Sequence, residues 1–257
     1  MSRTLADARR RRAADGAGSA QRWYDAATMI RPDRAALCEQ LQATPYFASL
    51  DATALAAVAD LATWHEYAPG AIVFLEGETS SGLYSVYSGW VKVVKYSLDG
   101  REQVLRYFGA GELFNEIGIF LARPNPATAL TLEPTLLWQL HRSALEPLLA
   151  AHPELLLQVM ANMADRISYL VGLVADLSLH TVEVRLARLL LDAAPGGALV
   201  RHPWLTQAEL AARLGTVPDV LSRALRTLAD AGLIRVERKQ ITILDRRGLA
   251  VRAVLEG

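Results

Sequence analysis

The hydrophobic period of this 257-residue chain changes at Pro153. Beyond it, Leu156, Met160, Met163, Ile167, Leu170, Val174 and Leu177 follow at steps of 4, 3, 4, 3, 4 and 3. That is an a/d stripe through three heptads, with Asn162, Asp165, Arg166, Ser168 and Asp176 off it. A single long helix over 153–180 with so narrow a seam calls for a partner helix. The competing reading packs the seam on the chain's own sheet, and different faces can serve both.

Ahead of the switch the pattern is the opposite. Ala71–Leu75, Gly82–Tyr87, Trp90–Tyr96, Gln103–Phe108, Ala127–Leu132 and Thr135–Leu140 are short β-prone stretches, with Gly77, Gly89, Gly100, Gly109 and Gly111 at turns between several of them. Leu98-Asp99-Gly100 is a clear turn signal between Val91–Tyr96 and Glu102–Tyr107. Short strands at even spacing predict a closed or sandwiched antiparallel sheet that begins near Tyr67. Before it, from Arg31 to about Leu61, the apolar spacing is helical, with Pro32 near a helix start and Asp51 suited to cap Ala52–Leu61.

Composition narrows the classes. Apolar residues make 52% of the chain, enough for a core in two domains. One cysteine, Cys38, excludes an internal disulfide framework and a four-cysteine zinc or iron–sulfur site. It also fits a reducing cytoplasm. The apolar run Ile167–Ala175 ends at Arg166 and Asp176, too short for a membrane helix, and Arg9, Arg10, Arg11 and Arg12 precede no signal-like stretch. A cytoplasmic protein with a mobile basic tail over 1–30 is expected. Lys+Arg and Asp+Glu balance at 27 each, yet residues 198–257 hold ten basic against six acidic residues, a net of +4. Residues 1–20 carry five against two, a net of +3. Basic ends on an acidic body suit a polyanion partner.

The C-terminal segment gives that partner a shape. Thr206-Gln207-Ala208-Glu209 is a capping box, and the helix it opens stops at Gly215. Thr216-Val217-Pro218-Asp219 opens a second helix, with Thr216 expected as its cap, proline tolerated in the first turn and Asp219 at the positive end of the dipole. Leu221, Leu225 and Leu228 carry that helix to Gly232. Leu233–Glu237, a tip of Arg238-Lys239-Gln240, and Ile241–Leu244 then read as a hairpin. Helix pair plus basic-tipped hairpin is a winged helix-turn-helix, expected over 181–257 and expected to bind double-stranded DNA. On the second helix Pro218, Asp219, Ser222, Arg223 and Arg226 share the exposed side. Arg223 can fork onto guanine O6 and N7, and Asp219 can accept from cytosine N4 or orient that arginine. Thr206, Arg226, Arg238 and Lys239 suit phosphates. No nucleophile–base pairing, metal-ligand spacing or phosphate-cradling glycine loop points to an enzyme.

In the order of these segments the chain resembles the Crp/Fnr family of bacterial transcription regulators over about residues 40–245. The resemblance rests on Gly70-Ala-Ile-Val-Phe-Leu-Glu-Gly77, Leu83-Tyr-Ser-Val-Tyr-Ser-Gly89, Gly111-Glu-Leu-Phe-Asn-Glu116, and Leu205-Thr-Gln-Ala-Glu-Leu-Ala211 through Ser222-Arg223. It implies an α+β chain: an antiparallel, jelly-roll-like β-roll sensing a signal over 31–152, a long dimerisation helix, and a C-terminal winged helix-turn-helix. It also implies a homodimer on a two-fold operator, contact with RNA polymerase, and a small-molecule effector whose identity the chain does not give. No cofactor is expected.

The departures from the family pattern concern the effector. In cyclic-nucleotide binders a Gly-Glu pair precedes a short helix and an Arg-Ser/Thr pair. Here Glu116 matches the ribose-binding Glu, Asn115 replaces the Gly, and Asn125-Pro126, or Pro126-Ala127 if no gap is allowed, within the stretch ending at Thr128, fall where the Arg pair belongs. A cyclic phosphate needs a cation opposite it, and Arg123 is the candidate substitute. The positions that hold the purine align with Leu170 and Val171, which have no hydroxyl. A signal other than cyclic AMP is therefore expected. The alternatives are a cyclic-nucleotide pocket using Arg123, or a haem-based gas sensor drawing on His65, His141 or His180. On the recognition helix the family's Arg-Glu-Thr-Val-Ser-Arg stands as Pro218-Asp-Val-Leu-Ser-Arg223, so the operator is expected to differ.

Overall fold

The computed structural model describes residues 32–79, 82–121 and 123–254. The expected basic tail lies outside them. The described residues form two compact units, one from 32–95 with 106–164 and one from 96–105 with 165–254.

The first unit opens with α1 (Arg34–Ala43) and α2 (Ala52–Leu61), each started by an aspartate. Asp33 and Asp51 accept through Oδ1 from the amides of Ala36 and Ala54, both at 2.8 Å. That satisfies amides with no helical partner, as expected for Asp51. Eight strands follow in the chain, with Tyr96 of β4 and 102–105 of β5 falling in the second unit: β1 (Thr63–Tyr67), β2 (Ile72–Phe74), β3 (Gly82–Ser88), β4 (Val91–Tyr96), β5 (Glu102–Phe108), β6 (Leu113–Phe114), β7 (Thr128–Thr131) and β8 (Thr135–His141). They form two four-stranded sheets in the orders β1-β8-β3-β6 and β2-β7-β4-β5, antiparallel at the recorded pairings. This is the expected roll. Phe74, Tyr84, Phe108 and Phe114 are buried in one cluster, with Tyr84 and Phe114 stacked at 5.4 Å. A second cluster joins Leu83, Trp138 and Leu140 to Leu37, Leu41, Leu55 and Val58 of α1 and α2 and to Leu145 of α4 (Arg142–Ala151).

The sheet begins four residues before Tyr67, where the sequence placed its start. β1 reads Thr-Trp-His-Glu-Tyr, without one aliphatic residue, and pairing along its whole length with β8 makes it a strand. β6, two residues long, also escapes sequence reading. Between β6 and β7 lies α3 (Glu116–Leu121).

The long helix appears as α5 (Glu154–Leu179). The second unit continues with α6 (Val182–Ala193), β9 (Ala198–Val200), α7 (Gln207–Arg213), α8 (Pro218–Asp230), β10 (Ile234–Val236), β11 (Gln240–Ile243) and α9 (Arg246–Arg252). Its wing is a three-stranded sheet, β10-β11-β9, so β9 adds a strand to the expected hairpin. Leu186, Leu190, Leu210, Leu221, Leu228, Ile241 and Leu249 form its buried core.

One cap differs from expectation. Val217, extended at φ −107°, is the N-cap of α8 and makes no side-chain cap bond. Thr216 sits one residue too early, its amide closing the end of α7 on the Ala211 carbonyl at 2.9 Å. Pro218 at the first helical position forces the residue before it out of helical geometry, which fixes the start at Val217. At Gly215 φ is +63°, and a Cβ there would collide with Leu177 and Gln103 of the same unit. Only glycine suits that turn.

Candidate nucleic-acid interface and effector pocket

The face α8 offers follows from its heptad-like burial. Leu221, Ala224, Leu225 and Leu228 point into the core, which leaves Asp219, Arg223 and Arg226 on the opposite, exposed face. Among the described residues, neither Arg223 nor Arg226 has an ion-pair or hydrogen-bond partner for its guanidinium, and Asp219 has none for its carboxylate. Pro218 is exposed at the leading end. Ser222 is different. It is half-buried, its Oγ donates to the Pro218 carbonyl at 2.8 Å, and it accepts from Gln207 Nε2 at 2.5 Å. Gln207, which sequence reading passed over, therefore ties the start of α7 to α8. No local signal could have shown this, because the bond spans the turn.

Thr206 caps α7, its Oγ1 accepting from the Glu209 amide at 3.2 Å, and it stays exposed. Arg238 and Lys239 are exposed at the wing tip. That tip is closed by the Glu237 amide on the Gln240 carbonyl at 2.9 Å. The Arg201 amide donates to the Lys239 carbonyl at 2.8 Å, so the segment after β9 braces the tip. Arg223, Arg226, Arg238 and Lys239 are thus exposed cations on a helix and a wing, with no side-chain partner among the described residues.

On α5 the seam residues Leu156, Met160, Ile167, Leu170 and Val174 are exposed, Ile167 to 60% and Val174 to 63%, while Met163 and Leu177 are half-buried. Val171, also exposed, lies beside them.

The roll treats its polar groups differently. Asn115 adopts φ +78°, a left-handed backbone, and donates from Nδ2 to the Gly82 carbonyl at 3.0 Å. That conformation explains why glycine suits this position and why asparagine can replace it. The Glu116 side chain is fully buried, and its Oε1 accepts from the Tyr46 hydroxyl at 2.5 Å. Asn125 is buried and held by its backbone, with the Glu78 carbonyl and the Gly77 amide each at 2.8 Å. Its Oδ1 is an acceptor with no donor on it among the described residues. Thr128 Oγ1 accepts from the Glu76 amide at 3.0 Å. Arg123 is exposed. Lys95 also lies beside the Asn125 segment, reaching the Pro126 carbonyl at 2.9 Å and paired with Glu76 at 2.7 Å. Burial, with Tyr84 adding to it, pushes the Tyr67 hydroxyl up to about 12. Of the histidines, His65 Nε2 and His180 Nδ1 are buried without partners among the described residues, and His141 ends β8. Among the described residues no three His, Cys, Asp or Glu side chains gather to hold a metal, and no helix is long and apolar enough to cross a membrane.

Residues 64–152 match the cyclic nucleotide-binding domain, and residues 184–252 match the Crp-like helix-turn-helix domain. The CRP-like cAMP-activated global transcriptional regulator of Mycobacterium tuberculosis is 34% identical over 214 residues, covering 80% of this chain and 95% of that one. The chain belongs to the Crp/Fnr family. Among solved structures, the c-di-GMP responsive global regulator CLP of Xanthomonas campestris is 25% identical with a TM-score of 0.64, covering 75% of this chain and 99% of that one. The cAMP-activated global transcriptional regulator CRP of Haemophilus influenzae is 26% identical over 189 residues, covering 71% of this chain and 84% of that one. The Crp/Fnr relatives are transcription regulators with a DNA-binding helix-turn-helix, and they respond to different effectors, cAMP for those of Mycobacterium tuberculosis and Haemophilus influenzae and c-di-GMP for CLP. Membership therefore sets the fold and the class of activity and leaves the signal open.

Proposed function

We propose that this Crp/Fnr chain is a homodimeric, sequence-specific transcription regulator, with no catalytic role, that places α8 in the major groove of duplex DNA. The observation that carries the reading is the unpartnered Arg223 guanidinium on the outward face of α8. Leaving an arginine unpaired beside a core helix suits a guanine, which offers two acceptors to its fork. Asp219 sits one turn earlier to accept from cytosine or to aim that arginine. Arg226, Arg238, Lys239 and Thr206 supply phosphate contacts and hence salt dependence. The exposed a/d stripe of α5 pairs with its copy, since an isolated apolar stripe of this length is costly in water. The dimer then couples the roll to a two-fold operator, in contact with RNA polymerase.

The effector in this proposal is not cyclic AMP. Asn125 offers an acceptor oxygen where a cyclic phosphate needs a cation, Lys95 is paired with Glu76, and Glu116 is engaged by Tyr46. Leu170 and Val171 bring no hydroxyl for a purine.

Selection of bound duplexes from random DNA, run for the parent and for Arg223→Ala, tests the reading. A two-fold motif containing a G·C pair should emerge for the parent, and preference at that pair should vanish in the variant. Equal loss on specific and random DNA would remove Arg223 from base reading. Calorimetry with cyclic AMP and cyclic GMP should give no heat of specific binding, and micromolar binding would overturn the effector reading.

A further inference from the structure

The leading end of α8 lacks what five other helices have, a feature it shares with α4, whose cap His141 also makes no side-chain bond. Asp33, Asp51, Thr181, Thr206 and Asp245 cap their helices with a side-chain oxygen. Val217 caps α8 with none, and its side chain is 46% exposed. A non-polar residue at a cap forgoes a stabilising bond that serine or threonine would supply. Pro218 comes next, also exposed and without an N–H. The first two residues of the recognition helix are therefore an apolar tip with neither a side-chain polar atom nor, at Pro218, a backbone donor. One turn on, Ser222 Oγ is engaged by Gln207 and by the Pro218 carbonyl.

We infer that Val217 and Pro218 read the C5-methyl group of thymine. This rests on the reading that α8 lies in the major groove. In that groove the thymine methyl is the apolar feature that base edges offer, and the other edge groups are donors or acceptors that an apolar tip leaves unmatched. Asp219 and Arg223 follow on the same helix and take the polar edges. The tip thus adds a thymine next to the G·C pair that Arg223 selects, at a position where the family pattern would carry an arginine.

The test replaces thymine by deoxyuridine, which removes the methyl and leaves every hydrogen-bonding group in place. In duplexes taken from the random selection, each thymine of one half-site is exchanged singly and affinity is measured by titration. One exchange next to the Arg223-dependent pair should weaken binding about four-fold, the factor for one buried carbon. Val217→Ser should erase that difference. Because serine is a good cap, the variant should melt no lower than the parent, which separates lost reading from lost folding. If every thymine tolerates the exchange while Arg223→Ala still costs specific affinity, the methyl contact is wrong and the groove reading stands. If Arg223→Ala binds the selected duplex as tightly as the parent, the groove reading itself fails. Full discrimination by Val217→Ser would remove Val217 from the site.

Discussion

The cassette of the roll and the recognition face of the winged helix handle charge in opposite ways. In the cassette, Glu116 meets Tyr46, Lys95 meets Glu76, and Asn115 and Asn125 bond backbone carbonyls. On the recognition face, Arg223, Arg226, Arg238 and Lys239 have no partners among the described residues. Polar groups inside a domain must be satisfied by that domain, because an unmet group there costs about 1–3 kcal/mol. Groups meant for an outside ligand are left in water until it arrives. By this criterion the second unit is built to receive a charged partner, whereas in the cassette Glu116 and Lys95 are already paired and Asn125 Oδ1 is left without a donor among the described residues.

The contrast can be broken in several places. Ile167→Glu puts a charge on the exposed stripe of α5, and sedimentation should show monomers. Loss of the second DNA-binding unit should cost about 10²–10⁴ in operator affinity. An intact dimer would assign the seam elsewhere. Arg223→Ala should cost about 1–3 kcal/mol on the selected duplex, measured by titration, and flatten the preference at one base pair. On the cassette side, Tyr46→Phe removes the hydroxyl from the buried Glu116. Urea unfolding should show a loss of about 1.5–3 kcal/mol, the range for bonds to charged groups. An unchanged midpoint would mean that Glu116 does not depend on Tyr46.

Two smaller effects sharpen the comparison. Lys239→Ala should weaken all duplexes alike and lower the salt slope by about 1. A base-selective effect would move the wing from phosphate to base contact. Tyr67 gives a pH signature on the roll. Its folded pKa lies above the ordinary tyrosine value, at about 12, so its stabilising contribution is complete below pH 10. That contribution is lost as pH rises from about 10 towards 12, because the unfolded state releases the proton first. Tyr67→Phe should flatten that limb of the stability profile.

Legibility in the sequence followed the range of the interactions. The start of α7 at Thr206, the stop at Gly215 and the basic wing tip were readable because caps, glycine turns and strand alternation are local. The long helix was readable from its stripe. β1 was not, because Thr-Trp-His-Glu-Tyr becomes a strand only against β8, whose partners lie more than sixty residues on. β9 is three residues long and α9 opens with Arg246-Arg247-Gly248, so neither carries enough period to register. The exposed position of Arg223 on α8 was readable from its place in the helix. The Gln207–Ser222 and Tyr46–Glu116 bonds were not, since each depends on how separate elements pack.

The bond between Gln207 and Ser222 bears on how such a reader can diverge. Ser222 holds the two helices at a fixed angle, so changing it disturbs the aim of every neighbouring side chain at once. Positions 219 and 223 make no side-chain bond among the described residues and can vary one at a time. A lineage acquiring a new binding site would explore those positions and leave the serine untouched.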